Sequence, residues 1–453
     1  MSAAALVGSH TSFLRPRSVV DEGQVMAREE RMVATQSKKQ PKKQRAGASA
    51  IASLLATIAV SLSAGLIVCI GAVQAEEPIM IGGALCLTGI QAPLDAPGLK
   101  GAELAVKVVN EKGGVLGRPL KFVNLDGKSD PVTVGTNAAQ LVSQGAKAIV
   151  APCDFDFGGP ANREAQKGGI VGVSTCASSP LHGSVTLGDK QFTLSMWNTT
   201  MGAAAAEFAL GKGWKNAYVV TDTFIDYTTS LSDFFTRHFK AKGGHIIFED
   251  KYTQGAQDFS AQLARLQRSQ QKPDVLFISS YMPDLGTIIR TIRQAGIKTP
   301  IIGGDSYDDS SLFGALGEKF GNDVFFVTHS FMAPGVTPAM AEFLDRYQKQ
   351  YGEAPDTAMV ATGWDTIMVI AQAMQKAGTT DGAAVAKAME GTHYDLLTGK
   401  LTWSNAATGH EPSIEAPMVE IKGGKPVFLG WTQPSDVEKP DYLAKLIKEH
   451  PQQ

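Results

Sequence analysis

Residues Gly101–Gly117 read GAELAVKVVNEKGGVLG, and the fold follows from how this stretch divides. Ala102, Ala105, Val106 and Val109 recur at helical spacing, so a helix over Lys100–Asn110 carries one apolar face. Gly113-Gly114 stops it, because glycine takes the left-handed conformation of a helix end without steric cost. On either side lie apolar runs of strand length, Ile79–Leu85 before and Leu120–Leu125 after. A strand, an amphipathic helix and a second strand in succession form a crossover unit, whose strands run parallel.

The alternation continues outward from this unit. A helix is expected over Pro131–Ser143, and short buried strands over Ala148–Ala151 and Ile170–Ser174. A second block repeats the pattern: strands at Ala217–Thr221, Ile246–Lys251, Val275–Ser279, Pro300–Gly303 and Val324–Thr328, and helices at Ser230–Lys242, Phe259–Ser269 and Ala339–Tyr351. Leu285, Ile288, Ile289 and Ile292 mark one more helix face. Repeated units of this kind imply α/β architecture with helices on both faces of parallel sheets. There is too much for one sheet, so two Rossmann-like lobes are expected. Such sheets bind ligands outside the carboxyl ends of their strands. The loops to inspect are Cys86–Pro93, Cys153–Gly159, Thr175–Pro180, Asp222–Thr228, Tyr281–Asp284 and Asp305–Asp309. Aromatic residues crowd these loops (Phe155, Phe157, Phe224, Tyr227, Tyr281, Tyr307 and Phe331), which suits stacking on a planar ligand.

Of 453 residues, 43% are hydrophobic and 19% charged, a globular composition. The charge is unevenly placed. Residues 1–75 hold nine of the 42 basic and four of the 44 acidic residues, which leaves 33 basic and 40 acidic residues behind them. Lys38–Arg45 is a cationic run, Ala46–Gly71 is small and apolar, and Val73-Gln74-Ala75 has small residues where a signal peptidase cuts. A secretory leader cleaved after Ala75 is expected, although the apolar run is also long enough for a retained anchor. An acidic exported body argues against nucleic acid as a partner. Export also permits a disulfide, and Cys153–Cys176 is the preferred pair among the three cysteines after the leader. No nucleophile elbow, zinc helix, phosphate loop or dinucleotide fingerprint is found, so binding is favoured over catalysis, with no cofactor and no metal expected.

From Ile79 to about Lys425 the chain resembles the type I periplasmic binding proteins of ATP-driven (ABC) importers, in their branched-chain amino acid branch. Leu87-Thr88-Gly89 is similar to the family's first turn, and Gly101–Gly117 to its first helix and the glycine turn after it. The helix opened by Asp130-Pro131, the loops Cys153–Ala161 and Ser174–Pro180, and Gly363-Trp364-Asp365-Thr366 fall in family order. The resemblance implies a periplasmic monomer whose two lobes close on an amino acid or related small acid and deliver it to an inner-membrane permease. It implies hinge crossings near Met196, Thr328 and Glu415, with lobes at 76–196 plus 329–414 and at 197–328 plus 415–436, and a tail at 437–453. A sensor of the same fold and a secreted α/β hydrolase are the alternatives.

By position, Ser178 stands where the family binds the ligand carboxylate, with backbone N–H groups of Cys176, Ala177 and Ser178 as added donors. Asp156 or Phe157 falls at the other carboxylate contact, where an acid repels a ligand carboxylate. The amides near Gly158–Ala161 could still receive an anion; alternatively, Asp154 and Asp156 point to solvent. Asp305 takes the place of the ammonium-binding acid, unless it caps the helix near Ser310. Tyr281 and Tyr227 match cleft tyrosines.

Overall fold

The computed structural model describes residues 77–256 and 258–449. The expected leader and its cleavage after Ala75 lie outside the described residues. β1 (Ile79–Gly83), β2 (Leu120–Asn124), β3 (Ala148–Ala151), β4 (Val171–Ser174) and β5 (Gln191–Thr193) make a parallel sheet in the order β2-β1-β3-β4-β5. β3 and β4 are buried at every residue, as continuous apolar strands between two helical layers must be.

A second sheet begins with β6 (Asn216–Asp222), β7 (His245–Tyr252), β8 (Val275–Ser279), β9 (Ile301–Gly303) and β10 (Val324–Val327), all parallel. β11 (Tyr394–Leu396), β12 (Gly399–Trp403) and β13 (Pro412–Ile414) form a small antiparallel sheet. It packs against the first large sheet: Trp403 Nε1 donates to Thr193 O at 2.8 Å, and His410 stacks on Phe192 with ring centroids 3.9 Å apart. The antiparallel hairpin β14 (Ala416–Lys422) and β15 (Lys425–Thr432) then completes the second sheet in the order β15-β14-β10-β9-β8-β6-β7.

The Ala92–Glu111 helix starts well before the expected Lys100, because Pro93 sits in its first turn, where a fixed φ and a missing N–H cost nothing. It ends as read: Gly113 and Gly114 have φ of 97° and 76°, and Gly114 N–H donates to Val109 O at 2.9 Å. Glycine also sets its packing. A Cβ on Gly101 would lie 1.9 Å from Val360 O, and one on Gly363 would lie 1.8 Å from Gly98 O. The Ala92–Glu111 and Met359–Ala377 helices therefore meet backbone to backbone. The hairpin β14–β15 and the β11–β13 sheet were not anticipated. Gly423 and Gly424, with φ of 60° and 74°, make the β14–β15 turn, a two-glycine signal of the kind hairpins use.

Candidate ligand-binding cleft

In each large sheet the strand order reverses at one place, between β1 and β3 in the first and between β6 and β8 in the second. The crevice outside such a reversal is where open α/β sheets bind ligands. The segments leaving these four strands carry Gln91, Asp154, Tyr227 and Tyr281. The neighbouring strands β4 and β9 add Ser178 and Asp305. Cys153 and Cys176 are joined by a disulfide, with Cα atoms 4.7 Å apart, which ties the ends of β3 and β4 together.

The two strand-end surfaces touch directly. Tyr281 Oη donates to Asp154 Oδ2 and lies 3.1 Å from Gln91 Oε1. Gln91 Nε2 donates to Asp154 Oδ2 at 2.7 Å and to Cys153 O at 2.6 Å. Asp226 N–H donates to Asp156 Oδ2 at 3.0 Å, and Ser179 Oγ donates to Asp226 Oδ2. Across the second wall, His329 Nε2 and Asp305 Oδ2 are 2.8 Å apart and both residues are buried. Tyr227 Oη donates to Ser306 Oγ and accepts from Ser306 N–H, each at 3.1 Å. The Tyr227 and Tyr281 rings meet edge to face at 5.8 Å. A continuous path links the walls: Ser178 O accepts from Asn198 N–H at 2.6 Å, and Asn198 Nδ2 donates to Tyr227 O at 3.0 Å.

Electrostatics follow burial. Loss of solvent lifts the Asp154 carboxyl to about 8, against the lowering effect of the Tyr281 and Gln91 hydrogen bonds, and Asp305 and Asp156 push it the same way as burial. Burial also raises Asp156, and holds the Tyr227 and Tyr281 hydroxyls well above their ordinary value. Asp308, beside Asp305, is pushed up to about 7 by burial. Several buried side-chain oxygens have no hydrogen-bond partner among the described residues, and at the facing strand ends these include Ser178 Oγ and Asp305 Oδ1. Unpaired polar atoms at such depth are costly, and each calls for an explanation such as a water, an ion or a bound group.

Several expectations change. Asp154 and Asp156 do not point to solvent: Asp154 is 2% exposed, and Asp156 reaches the opposite wall. Asp156 spends its carboxylate on the Asp226 amide, because the Asp226–Ala241 helix begins before the expected Ser230 and aims its first amides at it. Phe157 is buried in the same hydrophobic cluster as Tyr227 and Tyr281. The Ala177 N–H is committed to Ser174 Oγ at 3.0 Å, which removes it from the donors. The Gly158 N–H is bonded to Asp154 O within the Phe155–Lys167 helix, whose first turn lies upstream of the expected amides. Asp309, and not Asp305, caps the Ser310–Phe320 helix. Among the crowded aromatics, Tyr307 packs inside the second sheet, Phe331 stacks on Phe428, and Phe224 is 43% exposed. Gln91, Asp226, Ser306 and the partnership of His329 with Asp305 were not read from the sequence. The local signal for Gln91, Asp226 and Ser306 was their place in the post-strand loops Cys86–Pro93, Asp222–Thr228 and Asp305–Asp309.

A model of the family described as periplasmic binding protein matches residues 78–425. The chain belongs to the periplasmic binding protein family. The Leu/Ile/Val-binding protein of Escherichia coli (strain K12) is 27% identical over 305 residues, covering 67% of this chain and 80% of that protein. Among solved structures, a leucine binding protein from Thermotoga maritima MSB8 is similar with a TM-score of 0.69 at 27% identity, covering 79% of this chain and 99% of the other. A branched-chain amino acid transporter substrate binding protein from Streptococcus pneumoniae, in complex with isoleucine, has a TM-score of 0.71 at 23% identity over 79% of this chain and 100% of its own, a likeness of fold. These relatives are by name binding proteins and not enzymes, and the chain shares their type I fold.

Proposed function

We propose that the chain captures a small amino-acid-like solute between its two lobes and delivers it to the permease of an ABC importer, as an extracytoplasmic monomer released from its leader near Ala75. The lobes are residues 76–196 plus 329–414 and residues 197–328 plus 415–436, with the hinge where the chain leaves one large sheet for the other, and residues 437–453 form a tail. The observation that carries this reading is the pair of buried, unpartnered oxygens, Ser178 Oγ from the β4 wall and Asp305 Oδ1 from the β9 wall. A solute with a hydrogen-bond donor or ammonium group satisfies Asp305, and one with a polar group satisfies Ser178, only when the lobes are together. Differential affinity for that closed form is what drives closure.

The test is a thermal-shift and calorimetric screen of amino acids, their amides and small acids against the wild-type chain and the Asp305→Asn and Ser178→Ala variants. A true ligand raises the melting temperature by mass action, and both variants weaken it. A ligand whose affinity neither substitution changes would place binding elsewhere and remove this assignment.

A further inference from the structure

The end of the cleft nearest Asp154 has a chemistry that a free amino acid does not match. Asp154 leaves β3 at one wall, buried, with a left-handed φ of 66°, and both its Gln91 and Tyr281 bonds fall on Oδ2. Asp305 stands on the facing wall with Oδ1 buried and unpartnered. Asp156 flanks the same end, and its carboxylate meets a backbone amide and no cation. Among the described residues no Lys or Arg forms an ion pair with Asp154, Asp156, Asp226 or Asp305, and His329 is committed to Asp305. Like charges brought together in a low-dielectric site destabilise one another. Burial and the neighbouring acids keep Asp154 protonated near neutral pH; a ligand carboxylate placed at this end adds an anion beside Asp156 and Asp305, whereas a cationic or amide donor lets Asp154 release its proton and accept from the ligand.

We propose that the cleft selects a ligand bearing hydrogen-bond donors at both ends, an ammonium group toward Asp305 and a carboxamide or second amine, not a carboxylate, toward Asp154. This rests on the cleft being the ligand site. The Ser178 hydroxyl fits the same class, because it can accept from the amide nitrogen or donate to the amide oxygen.

The experiment titrates the full chain, produced with its own leader and recovered after export, with matched pairs of glycine and glycinamide, leucine and leucinamide, and phenylalanine and phenylalaninamide. In the pairs that bind, the amide is expected to bind at least ten-fold more tightly than the acid. Asp154→Asn keeps a carbonyl oxygen for Gln91 and Tyr281 but removes the acid that can ionise against a ligand donor, and it is expected to shrink that preference at least ten-fold. An acid bound as tightly as its amide, a preference that Asp154→Asn leaves unchanged, or no amide binding at all overturns the proposal. The Asp305→Asn variant separates the two readings. If it weakens every ligand ten-fold or more while acids are preferred, only the ligand class fails. If it changes nothing, the cleft itself is not the site.

Discussion

At the scale of the residue, single polar groups in the cleft are distinguished by what their partners leave over. Ser178 Oγ is fully buried with no partner, so its loss costs little in the free protein and shows only when ligand is bound. Ser178→Ala is expected to weaken ligand binding by roughly 1–3 kcal/mol, the cost of leaving a buried group of the ligand unsatisfied; calorimetry on the variant measures it, with unchanged melting of the free chain as the control. Asp365 is the opposite case. Its two oxygens accept from the Leu397 and Thr398 amides at 3.1 and 2.8 Å, and burial lifts its carboxyl to about 7. Asp365→Ala strands two buried N–H groups and is expected to cost about 3 kcal/mol of stability by denaturant unfolding, with no effect specific to ligand. Sequence position brought out both residues. It did not reveal that one serves the cleft and the other pins the segment entering β12, because that depends on which amides arrive from elsewhere in the chain.

At the scale of the element, close approach and cross-linking decide stability. The Ala92–Glu111 and Met359–Ala377 helices meet at Gly98, Gly101 and Gly363. Gly363→Ala drives a methyl group into backbone, which cannot swing aside as a side chain can, and the expected loss is about 1–3 kcal/mol or more, read as a lower denaturation midpoint. The Cys153–Cys176 disulfide spans 23 residues. Replacing both cysteines with alanine should cost about 2–4 kcal/mol through a less constrained unfolded chain and should also weaken ligand binding, since Asp154 and Ser178 lie just beyond the two joined residues. Equal melting temperatures with and without reductant would contradict this. The helix and strand periods of these elements were plain in the sequence. Their starts were less so: Pro93 and Asp226 lie in helical first turns that begin earlier than apolar spacing indicates, because a first turn is set by capping and by residues such as proline and not by a repeating apolar face.

At the scale of the molecule, buried carboxyls couple stability to pH. Burial raises Asp95 and Asp308 to about 7 and Asp154 to about 8. The folded chain then holds protons that the unfolded chain has already lost, so stability is fullest below the ordinary carboxylate range and falls as pH rises through these values. Buried His182, lowered to about 3, works in the opposite direction, but only below the ordinary imidazole value. Between about pH 7 and 8.5 the carboxyls therefore dominate. The melting temperature should decline across that interval, and Asp154→Asn should flatten the decline; a profile rising with pH would refute the burial of these groups as protonated acids.

The order of apolar runs, helix faces and glycine stops determined two α/β lobes, because periodicity is a local property that each segment carries by itself. The same local patterns placed Ser178, Tyr227, Tyr281 and Asp305 at strand ends. What only the tertiary structure decided is which of those groups are already spent. Asp156 is satisfied by an amide of the opposite wall, Asp154 is buried between Gln91 and Tyr281, and Asp305 shares one oxygen with His329. Each of these partnerships crosses between segments far apart in sequence, and a hydrogen bond exists only where folding brings donor and acceptor within about 3 Å of each other.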